Sequence, residues 1–212
     1  MEQVIPGVHA SAPRPLPFAT STAMRGFLCR RGAGNLLIYG ATGLERERTV
    51  IDALGGVARH YLNHRHEAEF LPTRPLGPVF VHERDGDAVP SRANPHETFS
   101  GRHHIDGDFE VIPAPGHTPG ATVYLWDSGK HRILFSGDTI YLSEGEWVAA
   151  VLESSDRAAY LASLELIREL DFDVLVPWIA TGGLPCCAHT DSVDARRRVG
   201  AIVERLERGA SR

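Results

Sequence analysis

The chain has 212 residues, with 22 basic and 27 acidic side chains, a formal charge of −5 and 42% hydrophobic residues. That is an ordinary globular composition, able to bury roughly 70% of the surface its unfolded form exposes, so residues 1–212 are read as one domain. The charge is mildly acidic without a basic stripe for a phosphate backbone, and no run approaches the roughly 18 apolar residues of a membrane span, which argues against nucleic-acid and membrane partners.

Met1 to Thr20 is rich in proline and small residues and has no basic patch before an apolar stretch, so secretion is not expected. Phe27 and Cys29 alternate with polar neighbours, Gly32-Ala33-Gly34 interrupts, and Leu36-Leu37-Ile38-Tyr39 runs apolar, a pattern that predicts a hairpin. Leu44 to Leu54 is expected to be a helix stopped by Gly55-Gly56, and Val57 to Leu62 a strand that delivers Asn63-His64-Arg65-His66 into a loop. Pro78 to Val81 reads as a buried strand, and Pro90 to Asp108 as a polar, turn-rich passage. Pro113 to Gly120 is too rich in proline to be anything but a shaped loop, and Ala121–Trp126 with Arg132–Phe135 flank a turn, a second hairpin. Ser155 is expected to cap a helix carrying Leu161, Leu164, Ile167 and Leu170. Val174-Leu175-Val176 is a buried strand, and a last helix starts near Thr190 or Asp191. Two facing sheets with helices outside would bury all these faces; an open doubly wound sheet competes but lacks a glycine-rich phosphate loop.

Three cysteines, Cys29, Cys186 and Cys187, cannot all pair within one chain, and a reducing cytoplasm is the expected compartment. The eleven histidines are the compositional outlier, and imidazole is the commonest metal ligand. His64-x-His66 at a strand end can turn two imidazoles toward one cation. His117 stands in the rigid proline–glycine loop, and Asp138 follows a strand and a glycine in Ser136-Gly137-Asp138-Thr139. Three histidines and one aspartate suit zinc or non-haem iron.

The order His-x-His, Pro-Gly-His-Thr-Pro-Gly, Ser-Gly-Asp-Thr, set between strands over nearly the whole chain, resembles the metallo-β-lactamase superfamily. The resemblance implies an α/β (α+β) fold, a four-layer αββα sandwich with metal ligands on loops along one edge. It implies kinship with thioesterases, lactonases, nucleases, β-lactamases and an iron-dependent persulfide dioxygenase. It also marks departures. Tyr39 stands where the family usually has an aspartate, Ala68 replaces the aspartate and Glu69 a histidine of the second metal, and Pro177-Trp178-Ile179 replaces the last Pro-Gly-His. What remains is a first site of His64, His66 and His117 with Asp138 in the bridging position, holding one zinc, or iron, per chain.

The expected function is metal-dependent hydrolysis of a small ester, thioester or lactone, with Asp138 as ligand or water orienter and Glu69 or Glu67 as substitute base or ligand. A small-molecule substrate is the expected partner; the sequence sets no oligomeric state. Two alternatives stand beside this reading: a catalytically silent binding protein of the same fold, and a mononuclear iron oxygenase built on two histidines and Asp138. At the level of single residues, the histidines can be relics bonded to one another, and Asp138 a turn cap. Cys186-Cys187-Ala188-His189 either returns a ligand or is only a loop, and Trp147 and Trp178 either wall a pocket or are packed. His103-His104 and Arg196-Arg197-Arg198 read as solvated.

Overall fold

Along the hairpin strands Thr122–Asp127 and Arg132–Gly137, side chains alternate between two buried faces with the period of two that a pleated strand imposes. Tyr124, Trp126, Ile133 and Phe135 enter one apolar cluster, while Val123, Leu125 and Leu134 enter another. A strand apolar on both faces has to be covered on both sides, and the rest of the chain does this. The computed structural model describes residues 1–93 and 96–211. The hairpin lies in a six-stranded sheet with His103–Ile105, Phe109–Pro113, Val174–Pro177 and Ala188–His189.

Facing it is a seven-stranded sheet in the order Glu2–Ile5, Val8–Ala10, Phe27–Cys29, Leu36–Ile38, Arg59–Tyr61, Val79–His82, Glu97–Phe99. The predicted first hairpin is present, with Phe27 opposite Ile38 and Cys29 opposite Leu36. Phe27, Leu36 and Ile38 meet Tyr124, Phe135 and Val176 between the sheets. Helices α1 (Arg48–Ala53), α2 (Arg157–Arg168) and α3 (Ser192–Glu207) supply outer cover. Tyr160, Leu164 and Ile167 of α2 pack with Val199, Ile202 and Leu206 of α3 over Val123, Leu134 and Leu175. The result is the four-layer αββα sandwich that the resemblance implied. A five-stranded sheet, which includes Arg14–Leu16, Ala19–Met24, Tyr141–Ser143 and Ile179–Thr181, closes one edge.

The proline-rich start holds strands of three and four residues, too short for a periodic signal, which exist because neighbours complete their ladders. Three expectations need correction. The passage after Pro90, read as turn-rich, contains Glu97–Phe99 and His103–Ile105. Asn63 to His66 does not end in an open loop, because Arg65–Phe70 forms a 3₁₀ helix. Ser155 is not the cap of α2. Asp156 takes that role, accepting from Ala159 N, while the Ser155 hydroxyl donates to the His117 carbonyl at 3.1 Å and so fixes the histidine loop.

His60, fully buried in its strand, donates from Nε2 to the Tyr39 carbonyl at 2.9 Å, and its Nδ1 has no partner among the described residues. Burial lowers its pKa from 6.5 to about 4, so the folded chain holds it neutral in a range where the unfolded chain binds a proton. Stability from this group is complete above pH 6.5 and is lost as pH falls toward 4. The loss amounts to about 3 kcal/mol. In denaturant titrations between pH 7 and pH 4.5, a His60→Gln variant is expected to show a shallower fall than the parent; parallel curves would rule the effect out.

Candidate metal centre

The site is assembled where strands end. Arg59–Tyr61 leads to Asn63 and His64, Arg132–Gly137 to Asp138, Val174–Pro177 to Trp178, and Phe109–Pro113 to the loop that carries His117. Ligand atoms of His64, His66 and His117 all lie within 4.8 Å of one another. They form the one such group of three among the described residues. Asp138 faces them: its Oδ2 is 3.6 Å from His64 Nε2 and 3.7 Å from His117 Nε2.

Hydrogen bonds behind the rings decide which nitrogens point inward. His64 Nδ1 lies 3.1 Å from Asn63 Oδ1 and 3.0 Å from Glu67 Oε1, both acceptors, so the proton sits on Nδ1 and Nε2 carries the lone pair. His117 Nδ1 donates to the Ala150 carbonyl at 2.6 Å, which leaves its Nε2 as a lone pair as well, 3.1 Å from His66 Nδ1. Burial pushes His64 well below its ordinary value, with His117 and His66 adding to the shift, and takes His117 down to about 4. Burial also lowers His66. Neutral imidazole is the form a metal needs. Burial pushes the Asp138 carboxyl up to about 7, and its Oδ1 and His64 Nε2 are buried without a hydrogen-bond partner. Inward lone pairs, an unsatisfied carboxylate and an orphaned nitrogen in one place are what a cation would satisfy, so the residues present fit a metal ion. The orphaned Oδ1 also removes the turn-cap reading of Asp138.

Glu67 is corrected as a direct ligand or base. Its Oε1 accepts from Asn63 N at 3.1 Å and contacts His64 Nδ1, and its Oε2 accepts from Gly40 N at 2.9 Å, so both oxygens are used behind the triad. Burial pushes this carboxyl well upward. Glu69, in contrast, is exposed and lines the same cavity as His66, His117 and Asp138. Trp178 also lines that cavity, with its ring 5.2 Å from that of His64 and its indole N–H donating to the Gly40 carbonyl. Trp147 does not; it stacks on Phe172 at 6.1 Å beneath Arg198, within the core under α3. Ala188–His189 pairs with Val174–Pro177, and Cys186 and Cys187 pack against the core between the sheets, so that segment returns no ligand.

Asp85 is the site residue that sequence reasoning missed. It is fully buried and accepts from Arg65 N and Nε at 3.0 Å each, from Thr118 Oγ1 at 2.6 Å and from Gly120 N at 3.1 Å. One carboxylate thus ties the His64–His66 segment to the His117 loop. The only local signal was an aspartate shortly after the strand Val79–His82. Asp85→Ala strands four donors, at a cost of about 3 kcal/mol or more, and is expected to weaken metal affinity about 10- to 100-fold. Metal competition with a chelator measures this; unchanged affinity in a folded variant would deny Asp85 the role.

The profile of the metallo-β-lactamase superfamily matches residues 38–177, which span His64, His66, His117 and Asp138. The chain belongs to the metallo-β-lactamase superfamily. A hydroxyacylglutathione hydrolase of Halorhodospira halophila is 28% identical over 141 residues, 65% of this chain and 47% of that protein, so the match spans about half the relative's length. Among solved structures, an archaeal superfamily member from Sulfolobus tokodaii has a TM-score of 0.65 at 14% identity, covering 96% of this chain and 87% of that one. The dizinc quorum-quenching lactonase AidC, in complex with a product, has a TM-score of 0.58 at 15% identity, covering 80% and 76%. Within the superfamily frame, the Tyr39 departure has a structural answer. Its backbone sits at φ 73°, and its phenol donates to the Val176 carbonyl at 2.7 Å and accepts from Gly137 N at 2.9 Å, joining two strand ends beside Asp138. No helix of the described residues is long and apolar enough to cross a membrane.

Proposed function

We propose that this superfamily member is a metal-dependent hydrolase of a small ester, thioester or lactone, using one ion held by His64 Nε2, His66 Nδ1, His117 Nε2 and Asp138. The convergence of three imidazoles, whose ligand atoms lie within 4.8 Å of one another, on an unsatisfied carboxylate at the end of an apolar cavity carries the reading. The family membership and the hydrolase name of the Halorhodospira relative support the reaction class. When bound, such an ion supplies Lewis-acid polarisation of a carbonyl and lowers the pKa of water to about 7.

The chain's own groups do the rest. Glu67 and the Ala150 carbonyl hold two imidazoles in the donor-inward tautomer. Asp138 offers Oδ2 toward the triad and keeps Oδ1 as an acceptor that orients water. Glu69, on the cavity wall, takes the proton released by that water. Trp178 and Phe70, whose rings lie 5.6 Å apart, exclude bulk solvent from one side. The reading takes a single ion, supported by the lack of a donor at Ala68 and Ile179 and by Trp178 standing against His64.

Elemental analysis of protein purified without added metal tests the reading, with about one zinc per chain expected. Stoichiometric iron would favour the oxygenase alternative, and no metal at all would favour the silent binding protein. Glu69→Gln is expected to keep the metal and lower kcat about 100-fold or more; an unchanged kcat would take Glu69 out of the mechanism.

A further inference from the structure

The cavity beside the triad has a volume of about 380 Å³, within the usual range for small-molecule sites. Leu16, Phe70, Leu152, Trp178 and Ile179 are among its apolar wall residues, and the five-stranded edge sheet brings Leu16 and Ile179 to it from opposite ends of the chain. No lysine or arginine lines it among the described residues; its formally charged members are Glu69 and Asp138. Its mouth carries a second signal. Of five large hydrophobic side chains exposed among the described residues, two, Phe18 at 81% and Leu152 at 43%, stand here. A single exposed apolar residue is ordinary, but two at the rim of an apolar cavity form a contact surface for a ligand.

We infer that the site takes neutral substrates with an apolar acyl chain and rejects those whose acyl chain ends in a carboxylate or phosphate. The inference rests on the hydrolase reading for its chemistry. Hydrolysis of such an ester breaks the acyl C–O bond, forms a new one from water, and delivers a proton to the departing alcohol. The apolar wall rewards chain length, because each methylene removed from water is worth about a fourfold gain in binding. A terminal carboxylate on the same chain would shed its water against Leu16, Phe70 and Ile179 with Glu69 close by and no cation to receive it. An ion held by the triad would be engaged with the reacting carbonyl and would not pair with the tail.

Two measurements on the purified, metal-containing protein test this. The first is kcat/KM for para-nitrophenyl acetate, butyrate and hexanoate and for the para-nitrophenyl monoester of glutaric acid. Values are expected to rise about two- to fourfold per methylene and to fall at least about 100-fold from hexanoyl to glutaryl. Thr22→Arg, which places a guanidinium on the cavity wall, is expected to narrow that last ratio about tenfold with metal content unchanged. The second is tryptophan fluorescence titration with hexanamide and with glutaric monoamide, which reads the cavity without turnover; saturable quenching by the first alone is expected. Chelator-sensitive turnover with a flat length series, or with glutaryl ester used as well as hexanoyl, overturns the inference and leaves the hydrolase reading standing. Selective hexanamide binding with no chelator-sensitive turnover of any ester overturns the hydrolase reading and upholds the cavity's preference.

Discussion

His117→Ala should yield a folded protein with less than about a tenth of the parent's metal and at least about 1000-fold less hydrolase activity. The imidazole is held on one side by the Ala150 carbonyl and presents Nε2 to His66 and Asp138 on the other, so its removal takes out a central donor of the proposed set. The core is spared, because His117 belongs to a loop and to none of the apolar clusters. Circular dichroism would establish folding, elemental analysis the metal, and ester hydrolysis the activity. Chelation of the parent protein should move in parallel, lowering stability by about 4 kcal/mol where the free ion had stood 1000-fold above its Kd. If His117→Ala retains a full equivalent of metal, the triad is wrong; if it retains activity without metal, the chemistry lies elsewhere.

Gly116→Ala should be a severely damaging single methyl in the site. Gly116 has φ +139°, and a Cβ there would fall 2.4 Å from Tyr160 Cα and 2.5 Å from Tyr160 N, in the first turn of α2. Backbone atoms of a packed helix cannot swing aside as a flexible side chain would. The same helix and its cap are bound to the loop through Asp156 N to the Gly116 carbonyl at 2.9 Å and Ser163 Oγ to the Pro115 carbonyl at 2.7 Å. Strained backbone and overpacking together cost about 3 to 5 kcal/mol, or on the order of 10 °C in Tm. Gly129→Ala is the control: φ is +75° there, but nothing lies within 4 Å of the added Cβ, so about 1 kcal/mol is expected. Equal losses in the two variants would show that α2 does not clamp the histidine loop.

What the sequence disclosed and what it concealed divide by distance along the chain. His64-x-His66, Pro115 to Gly120 and Ser136 to Thr139 were legible because each places its chemistry and its backbone constraint within a few residues. The central hairpin and the apolar faces of α2 and α3 were legible for the same reason, since strand and helix periods are local properties. The strands Glu2–Ile5, Val8–Ala10, Glu97–Phe99 and His103–Ile105 were not, because three or four residues carry too short a pattern and draw their stability from the neighbour that pairs with them.

The motifs and their order carried the resemblance to the superfamily and, through it, the expectation of the sandwich and of three imidazoles with an aspartate as the candidate site. Only the folded chain decided how those groups are held. Asp85 binds donors 20, 33 and 35 residues away, Tyr39 reaches Gly137 across 98 positions, and Glu67 rather than Glu69 stands behind His64. A buried carboxylate must collect donors from whatever segments the sheets bring to it, and a cavity wall is shared by strands distant in sequence. Neither leaves a periodic trace in any one segment, so the identity of the second layer and the apolar character of the pocket emerged from packing alone.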